Sequence, residues 1–188
     1  MATHSLLDTS GAVAQLCAGQ VIAYPTEAVF GLGCDPANES AVHKLLSLKG
    51  RSEAAGFILI ASDFTQLKAW VAVTDAALLA TAMQTWPGPV NWLFPRAAGV
   101  PDYVAGEHDT IAVRVTAHEP SRALCAAFGS ALISTSANLS AAKPARSAGE
   151  VEDYFGHYLG GILTGPLGGA SNPCEIRDLA NGSVIRKG

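Results

Sequence analysis

The sequence has few charged residues and no apolar run long enough to cross a membrane. Charged residues make up 15% of the 188 residues and hydrophobic residues 49%, which is enough for a substantial core and argues against large-scale disorder. Apolar runs such as residues 57–61 have the length of a strand. The N-terminus contains the acidic Asp8 and no basic stretch before an apolar segment, unlike a signal peptide. A cytoplasmic protein without membrane association is therefore expected.

The cysteines and histidines are too scattered to predict a metal site or a disulfide framework. None of the four cysteines belongs to a CxxC pair, and the five histidines are isolated from one another in the sequence. Buried free thiols are therefore expected. The cysteines are Cys17, Cys34, Cys125 and Cys174, and the histidines are His4, His43, His108, His118 and His157.

The charge balance argues against a protein that holds nucleic acid through bulk electrostatics. The net charge is -4, whereas non-specific binding depends on many contacts from Lys and Arg to phosphate. A local basic cleft on an otherwise acidic body remains compatible with this balance. The sequence also has no P-loop signature. It has no GxSxG nucleophile elbow, and this absence argues against a serine hydrolase.

Helical and strand patterns alternate along the chain, which favours an α/β or α+β architecture. Helices are predicted at residues 10–18, 39–49 with Asn38 as N-cap, 64–70, 74–84 with Thr74 as cap, 121–128 and 147–155. Strands are predicted at residues 21–24, 57–61, 90–94, 110–115 and 131–135, and a hairpin at 174–186 around Asn181-Gly182. The sheet is therefore expected to be twisted, mixed parallel and antiparallel, and flanked by helices. Residues 1–188 are expected to form one domain, with a glycine-rich loop at 160–169.

Residues 24–33, YPTEAVFGLG, and 49–51, KGR, carry the strongest functional pattern. The first segment is predicted as a strand end followed by a loop whose two glycines allow close approach to a ligand. The second ends a helix with two cations, which donate charge-assisted hydrogen bonds to anionic oxygens. Together they indicate a polyanion pocket suited to a nucleoside triphosphate. A structural alternative is that the cations stabilise the helix C-terminus, by up to about 1 kcal/mol.

Two further patterns point to a ligand. Arg114 alternates with apolar neighbours, as in a strand that directs one side chain into a cleft, and its planar guanidinium can bind a carboxylate bidentately. Residues 134–138 place three hydroxyls and an amide at a strand end, where ligands bind in open α/β sheets. The structural alternatives are that these hydroxyls cap backbone groups and that Thr26 caps a turn.

These segments, with three that follow them in order, resemble the threonylcarbamoyl-adenylate synthase family, also called the YrdC-like family. The further segments are 110–115 TIAVRV, 134–140 STSANLS and 172–178 NPCEIRD. The resemblance runs from about Gly19 to the C-terminus and implies a YrdC-like fold with a large open cleft. A chain that ends soon after Arg186 resembles the short, single-domain form of the family. Ser52 stands where the family usually has proline, and Cys174 where it commonly has serine.

The resemblance implies an enzyme that condenses L-threonine, bicarbonate and ATP to threonylcarbamoyl-AMP and pyrophosphate. Separate downstream proteins would then modify the adenosine next to the tRNA anticodon. No covalent nucleophile is implied, and Mg²⁺ is the expected metal. The implied ATP-binding residues are Lys49, Arg51, Thr110, Ser136, Asn138 and Arg186, and the implied L-threonine-binding residues are Thr26, Arg114 and Ser134. The alternative is a non-catalytic module of the same fold that binds RNA through its basic cleft, weakly and in a salt-dependent manner.

Overall fold

The strands of the protein form one mixed sheet. The computed structural model describes residues 5–73, 75–139 and 142–188, and within them the sheet has ten strands in the order β1-β8-β2-β3-β7-β4-β6-β5-β9-β10. Their bounds are β1 Leu6–Leu7, β2 Ile22–Pro25, β3 Phe30–Gly33, β4 Ile58–Ala61, β5 Val90–Pro95, β6 Thr110–Val115, β7 Leu132–Ser136, β8 Ile162–Leu163, β9 Glu175–Asp178 and β10 Val184–Arg186. The sheet contains parallel pairs such as β4–β6 and antiparallel pairs such as β5–β6, so the predicted mixed sheet is confirmed.

Helices flank this sheet, and their starts follow from local capping. Their bounds are α1 Thr9–Cys17, α2 Glu39–Lys49, α3 Ala76–Met83, α4 Asp102–Ala105, α5 Glu119–Phe128 and α6 Ala148–Phe155. Asn38 accepts a hydrogen bond from the backbone of α2, and Ser147 and Glu150 form the capping box of α6, as the sequence predicts. Asp75 caps α3, whereas the predicted cap Thr74 lies outside the described residues.

The prediction of a glycine-containing loop after Pro25 is wrong, because residues Phe30–Gly33 form β3 and pair antiparallel with β2. Close packing rather than a turn explains the glycine at the end of this strand. A Cβ atom at Gly33 would lie 2.3 Å from the carbonyl oxygen of Ile133 and 2.7 Å from the ring of Tyr24. The Tyr24 hydroxyl donates to that same carbonyl at 3.1 Å, so the ring crosses the space that a larger residue would fill.

Three other expectations need correction. Residues Phe64–Leu67 form a 3₁₀ turn rather than the predicted longer helix. The glycine-rich stretch contains the short strand β8, whose neighbours are β1 and β2. Of the cysteines expected to be buried, Cys34 and Cys125 are, whereas Cys17 is exposed and Cys174 is half-buried. Burial and the adjacent charge of Asp35 raise the pKa of the Cys34 thiol to about 12.

The two faces of the sheet are covered to different extents. On one face, α1 and α5 pack over a small apolar cluster that includes Ile22, Ile60 and Leu132. The alternate strand residues, such as Leu59 and Ile133, belong to a larger core to which α2, α3 and α6 contribute. The layer formed by α1 and α5 ends part-way along the strands, so the rest of that face is left open.

Candidate active site

The open part of the sheet forms the floor of a cleft. Strand register places Leu93 beside Ala112, Ala112 beside Ile58, and Ile58 beside Ser134, so one row of side chains crosses β5, β6, β4 and β7. All four residues line a cleft of about 460 Å³. Two positions along β4, Ile60 already lies under the α1 and α5 layer. The cleft therefore begins where the helical cover ends.

Seven of the nine residues predicted to bind substrates line this cleft: Thr26, Arg51, Thr110, Arg114, Ser134, Ser136 and Arg186. Lys49 and Asn138 are not among the lining residues. The walls also contribute apolar groups, including Phe57, Ile176 and Ile185. Three guanidinium groups and several hydroxyls thus face one space between apolar walls, which is the arrangement expected of a pocket for a small anionic ligand.

Arg114 lines the end of the cleft next to the helical cover, because its register neighbour on β4 is Ile60, and it is 5% exposed. Its Nη2 donates to Glu27 Oε2 at 3.0 Å, and its Nη1 donates to Asn91 Oδ1 at 2.8 Å. The Nε atom is buried and has no hydrogen-bond partner among the described residues. Glu27 in turn accepts from the hydroxyl of Thr116 at 2.7 Å. The guanidinium plane is therefore fixed from two sides.

Asn91 connects Arg114 to the edge of the sheet. Its side chain is fully buried in β5, and its amide nitrogen donates to the carbonyl oxygens of Glu175 at 2.9 Å and Cys174 at 3.4 Å. Arg186 donates to the same Cys174 oxygen at 2.9 Å. The C-terminal hairpin and Arg114 are consequently joined through one buried amide, whose hydrogen-bonding groups all have partners.

Thr26 closes the turn between β2 and β3. Its backbone nitrogen and its hydroxyl both donate to the carbonyl oxygen of Val29, at 3.0 and 2.7 Å. The turn-capping alternative is therefore present in the structure, although Thr26 also lines the cleft. Because the hydroxyl proton is committed to Val29, its oxygen remains an acceptor for a ligand.

Lys49 is buried and binds the loop that follows β7. Its Nζ donates to the carbonyl oxygens of Ser136 and Asn138, at 2.5 and 2.7 Å, and to Asn138 Oδ1 at 2.9 Å. Burial, and secondarily the charge of Arg51, lower the pKa of Lys49 to about 8. Asn138 Oδ1 also accepts from the Ser136 hydroxyl at 2.6 Å. Lys49 and Asn138 thus shape the loop that presents Ser136 to the cleft.

Arg51 lies beyond Gly50, the left-handed C-cap of α2. Its Nη2 donates to the carbonyl oxygen of Gly56 at 2.8 Å, and its guanidinium lies 5.4 Å from the centre of the Phe57 ring. Partial burial of the guanidinium against Phe57 and the Gly56 carbonyl lowers the pKa of Arg51, but an arginine stays charged in proteins. Arg51 is exposed and lines the cleft, so it can reach a ligand without breaking the core.

Cys174 lines the cleft and interacts electrostatically with Arg114 and Arg186. Burial raises the pKa of its thiol, Glu27 adds to this rise through its charge and a hydrogen bond, and the two arginines oppose it. The thiol therefore stays protonated at neutral pH and is not an activated nucleophile.

Sequence reasoning missed Glu27 and Asn91 as parts of the site. Asn91 carried a usable signal, because a polar residue inside the apolar strand VNWLF is a buried polar group that needs partners. Glu27 follows Thr26 directly, but nothing in its local sequence indicates that it pairs with a strand far along the chain.

In residues 5–73, 75–139 and 142–188, no group of three or more His, Cys, Asp or Glu side chains could hold a metal ion. His4 lies outside those ranges, as does Ser140 of the STSANLS segment. None of the helices described there is long and apolar enough to cross a membrane.

Comparison with known sequences gives a consistent result over most of the chain. The family model for Sua5, YciO and YrdC proteins, described as "Telomere recombination", matches residues 14–188. A curated protein of Halorhodospira halophila, named threonylcarbamoyl-AMP synthase, is 51% identical, and the match covers 94% of this chain and 92% of that protein. A protein of the same name from Sodalis glossinidius is 48% identical over the full length of both chains.

Solved structures share the architecture. The structure of P. abyssi Sua5 complexed with L-threonine matches with a TM-score of 0.86 and 28% identity, covering 94% of this chain and 52% of that one. The present chain therefore spans about half the length of that protein. E. coli YciO matches with a TM-score of 0.83 and 25% identity, covering 96% of this chain and 88% of the other.

Proposed function

We propose a synthase reaction for this chain on the premise that it belongs to the Sua5/YciO/YrdC family, whose curated members here are threonylcarbamoyl-AMP synthases. The reaction joins L-threonine, bicarbonate and ATP to give threonylcarbamoyl-AMP and pyrophosphate. The observation that carries the proposal is the convergence of Arg51, Arg114 and Arg186 with hydroxyl side chains on one cleft. Threonine at its carboxylate and ATP at its phosphates are anionic at the ends that these groups would bind.

The proposed threonine subsite lies at the Arg114 end of the cleft. Arg114 would bind the substrate carboxylate through guanidinium hydrogens that Glu27 and Asn91 leave free, since each of these partners accepts from a different Nη atom. Thr26 and Ser134 line the same cleft and would complete the subsite. Because the guanidinium is already fixed, substrate binding would not have to order a long side chain.

The proposed ATP subsite comprises the remaining predicted residues. Arg51 and Arg186 are the exposed guanidinium groups of the cleft, and Ser136 and Thr110 add hydroxyls. Lys49 and Asn138 do not line the cleft in the structure, and their proposed role is to hold the Ser136 loop in place. Charge-assisted hydrogen bonds to phosphate oxygens from Arg51 and Arg186 would contribute on the order of 1.5–3 kcal/mol each.

The proposed chemistry needs positioning rather than a protein nucleophile. The ammonium group of threonine first loses a proton to solvent, and the resulting neutral amine and bicarbonate then give a carbamate and water. A carbamate oxygen then forms a bond to the α-phosphorus of ATP while the bond from that phosphorus to the bridging oxygen breaks, and pyrophosphate leaves. The arginines would hold two anions that repel each other within reach, and would stabilise charge on the phosphates as it redistributes.

Mg²⁺ remains a proposal. Glu27 is the one carboxylate among the described residues that line the cleft, and its oxygens already accept from Arg114 and Thr116. The described lining of the cleft thus offers no pair of carboxylates, and a Mg²⁺ ion would be held largely by phosphate oxygens and water, as is common in nucleotide sites. Its contribution would be to neutralise charge on the triphosphate.

Pyrophosphate release from ATP tests the proposal, measured with threonine, bicarbonate or ATP omitted in turn. We expect release only with all three present. Release without threonine or bicarbonate would indicate an ATP hydrolase, and no release under any condition would favour the RNA-binding alternative. The names of the curated relatives support the enzyme over that alternative. Transfer to tRNA by separate proteins, weak tRNA binding, a cytoplasmic location and a single domain over residues 1–188 remain parts of the proposal.

A further inference from the structure

Glu27 and Arg114 form an ion pair inside the proposed threonine subsite. Their charged atoms are 3.0 Å apart, and both side chains are largely removed from solvent, with exposed fractions of 12% and 5%. Both residues line the cleft. A ligand in this part of the cleft would therefore meet the negative charge of Glu27 next to the positive charge of Arg114.

Glu27 has unused hydrogen-bonding capacity. Its Oε2 accepts from Arg114, its Oε1 accepts from the Thr116 hydroxyl at 2.7 Å, and the Cys174 thiol adds a third hydrogen bond, whereas a carboxylate has about four acceptor positions. The glutamate is the more exposed partner of the pair and lines the cleft, so one acceptor position remains for a ligand there.

The backbone around Glu27 is held rigidly. Gly168 donates to the carbonyl oxygen of Thr26 at 3.0 Å, and Ala170 donates to that of Glu27 at 2.9 Å. A Cβ atom at Gly168 would lie 2.9 Å from the Cα atom of Glu27, so the loop and the turn are in close contact. The carboxylate is consequently preorganised rather than left to find its place when a ligand arrives.

The charge of the pair determines which ligands gain from it. A guanidinium whose charge is offset by a carboxylate 3.0 Å away attracts a simple anion less than a free guanidinium would. A zwitterion avoids this difficulty, because its carboxylate can face Arg114 while its ammonium group faces Glu27. An α-amino acid is such a ligand.

We propose that Glu27 binds the α-ammonium group of the amino-acid substrate and thereby selects amino acids over carboxylates that lack an amine. This inference rests on the proposed function, because it assigns the amino-acid end of the same cleft. Glu27 is here a specificity-determining residue. The competing explanation is that Glu27 serves only as the counter-ion that allows Arg114 to be buried.

Calorimetric titration of the purified full chain separates the two explanations. The ligands are L-threonine and 2,3-dihydroxybutanoate of the same configuration, in which a hydroxyl replaces the amine. We expect the unaltered protein to bind threonine roughly tenfold or more tightly than the hydroxy acid, as loss of a hydrogen bond to a charged group implies. Glu27→Gln should weaken threonine binding by a similar factor and strengthen hydroxy-acid binding, since Arg114 then keeps its full charge.

Glu107→Gln is the matched control, because it makes the same change at an exposed carboxylate that does not line the cleft. It should leave both affinities unchanged. If Glu27→Gln weakens both ligands together, Glu27 is only a counter-ion and the inference is overturned. If the variant does not fold, equal binding of the two ligands by the unaltered protein overturns it instead. Failure of the unaltered protein to bind either ligand would contradict the proposed function itself.

Discussion

Lys49 and Asn138 are joined by two hydrogen bonds, from Lys49 Nζ to the Asn138 carbonyl oxygen at 2.7 Å and to its Oδ1 at 2.9 Å. They connect the last residue of α2 to the loop after β7, across 89 positions of sequence. The ammonium group is buried, and the two residues stand behind the cleft rather than on its lining. A cation expected to bind phosphate is therefore committed to the protein's own backbone.

The pH dependence of stability should report the burial of Lys49. Its pKa is about 8 in the folded protein and 10.5 ordinarily, so the folded state binds fewer protons between these values. The cost of burying the charge is present below pH 8 and is relieved as the pH rises towards 10.5. We therefore expect the free energy of unfolding to rise with pH in this window relative to that of Lys49→Met, which cannot titrate. Urea denaturation of both proteins at pH 7.5 and 9.5 measures this, and a constant difference would contradict it.

Arg51→Ala should weaken ATP binding far more than it lowers Tm. The side chain is exposed and packs against Phe57 and the Gly56 carbonyl, so little core packing is lost. We expect Kd for ATP to rise about tenfold or more, measured by calorimetry, since a charged hydrogen-bond donor is removed. Arg96→Ala is the control, because Arg96 pairs with the exposed Asp102 outside the cleft. A loss of stability as large as the loss of affinity would instead support a purely structural role at the end of α2.

Asn91→Leu should raise KM for threonine more than KM for ATP. The variant keeps the side-chain volume but removes the acceptor for Arg114 Nη1 and the donor to the Cys174 and Glu175 carbonyls. We expect KM for threonine to rise about tenfold, and the free energy of unfolding to fall by about 1–3 kcal/mol because buried groups lose their partners.

The control for this variant is Asn38→Ala, which removes the N-cap of α2. It should lower the free energy of unfolding by about 1 kcal/mol and leave both KM values unchanged. Steady-state kinetics with each substrate varied would then separate the loss of Arg114 positioning from a general loss of stability. Parallel increases in both KM values for Asn91→Leu would sink the positioning role.

Gly56→Ala should destabilise the protein much more than Gly50→Ala. Both glycines have positive φ, but their ψ angles differ. Gly50 (φ 56°, ψ 37°) is in the left-handed region, where another residue costs about 1–2 kcal/mol, whereas Gly56 (φ 57°, ψ -179°) is in a region that essentially only glycine adopts, so alanine is more strained there. A Cβ atom at Gly50 meets nothing within 4 Å, whereas one at Gly56 would lie 2.4 Å from the Ala105 carbonyl oxygen. Thermal unfolding of the two variants should therefore show a clearly larger drop in Tm for Gly56→Ala. Equal drops would contradict the expected extra cost of the strain at Gly56 and of its close contact with Ala105 at the end of α4.

Elements defined by local chemistry could be predicted from the sequence. The N-cap at Asn38, the capping box of Ser147 and Glu150, and the Asn181-Gly182 hairpin each depend on residues a few positions apart, and all are observed. The prediction of a loop at Gly33 was wrong, because the position requires glycine for a different reason. The ring of Tyr24 and the Ile133 carbonyl on β7 leave no room for a side chain there, and no turn is involved. Such a reason cannot be read from neighbouring residues.

The sequence predicted several polar residues that line the cleft, but not the hydrogen bonds that they form. Most of the predicted residues line the cleft, since polar groups at strand ends and after α2 are visible in the sequence. The partners of Arg114 were not, because Glu27 and Asn91 lie 87 and 23 positions away and meet it only through the order of the strands. Whether the predicted residues bind threonine and ATP stays a prediction.

Helices α1 and α5 cover only part of one face of the sheet, so part of that face packs in the interior and the rest lines the cleft. Ile60 and Leu132 lie beneath the helices, and the next inward-facing pair along the same strands, Ile58 and Ser134, lies in the cleft. Residues two positions apart on the same strand therefore have different roles: one packs under the helices and stabilises the fold, and the other faces the ligand. Variation in substrate preference is thus open to this architecture without any rebuilding of its interior.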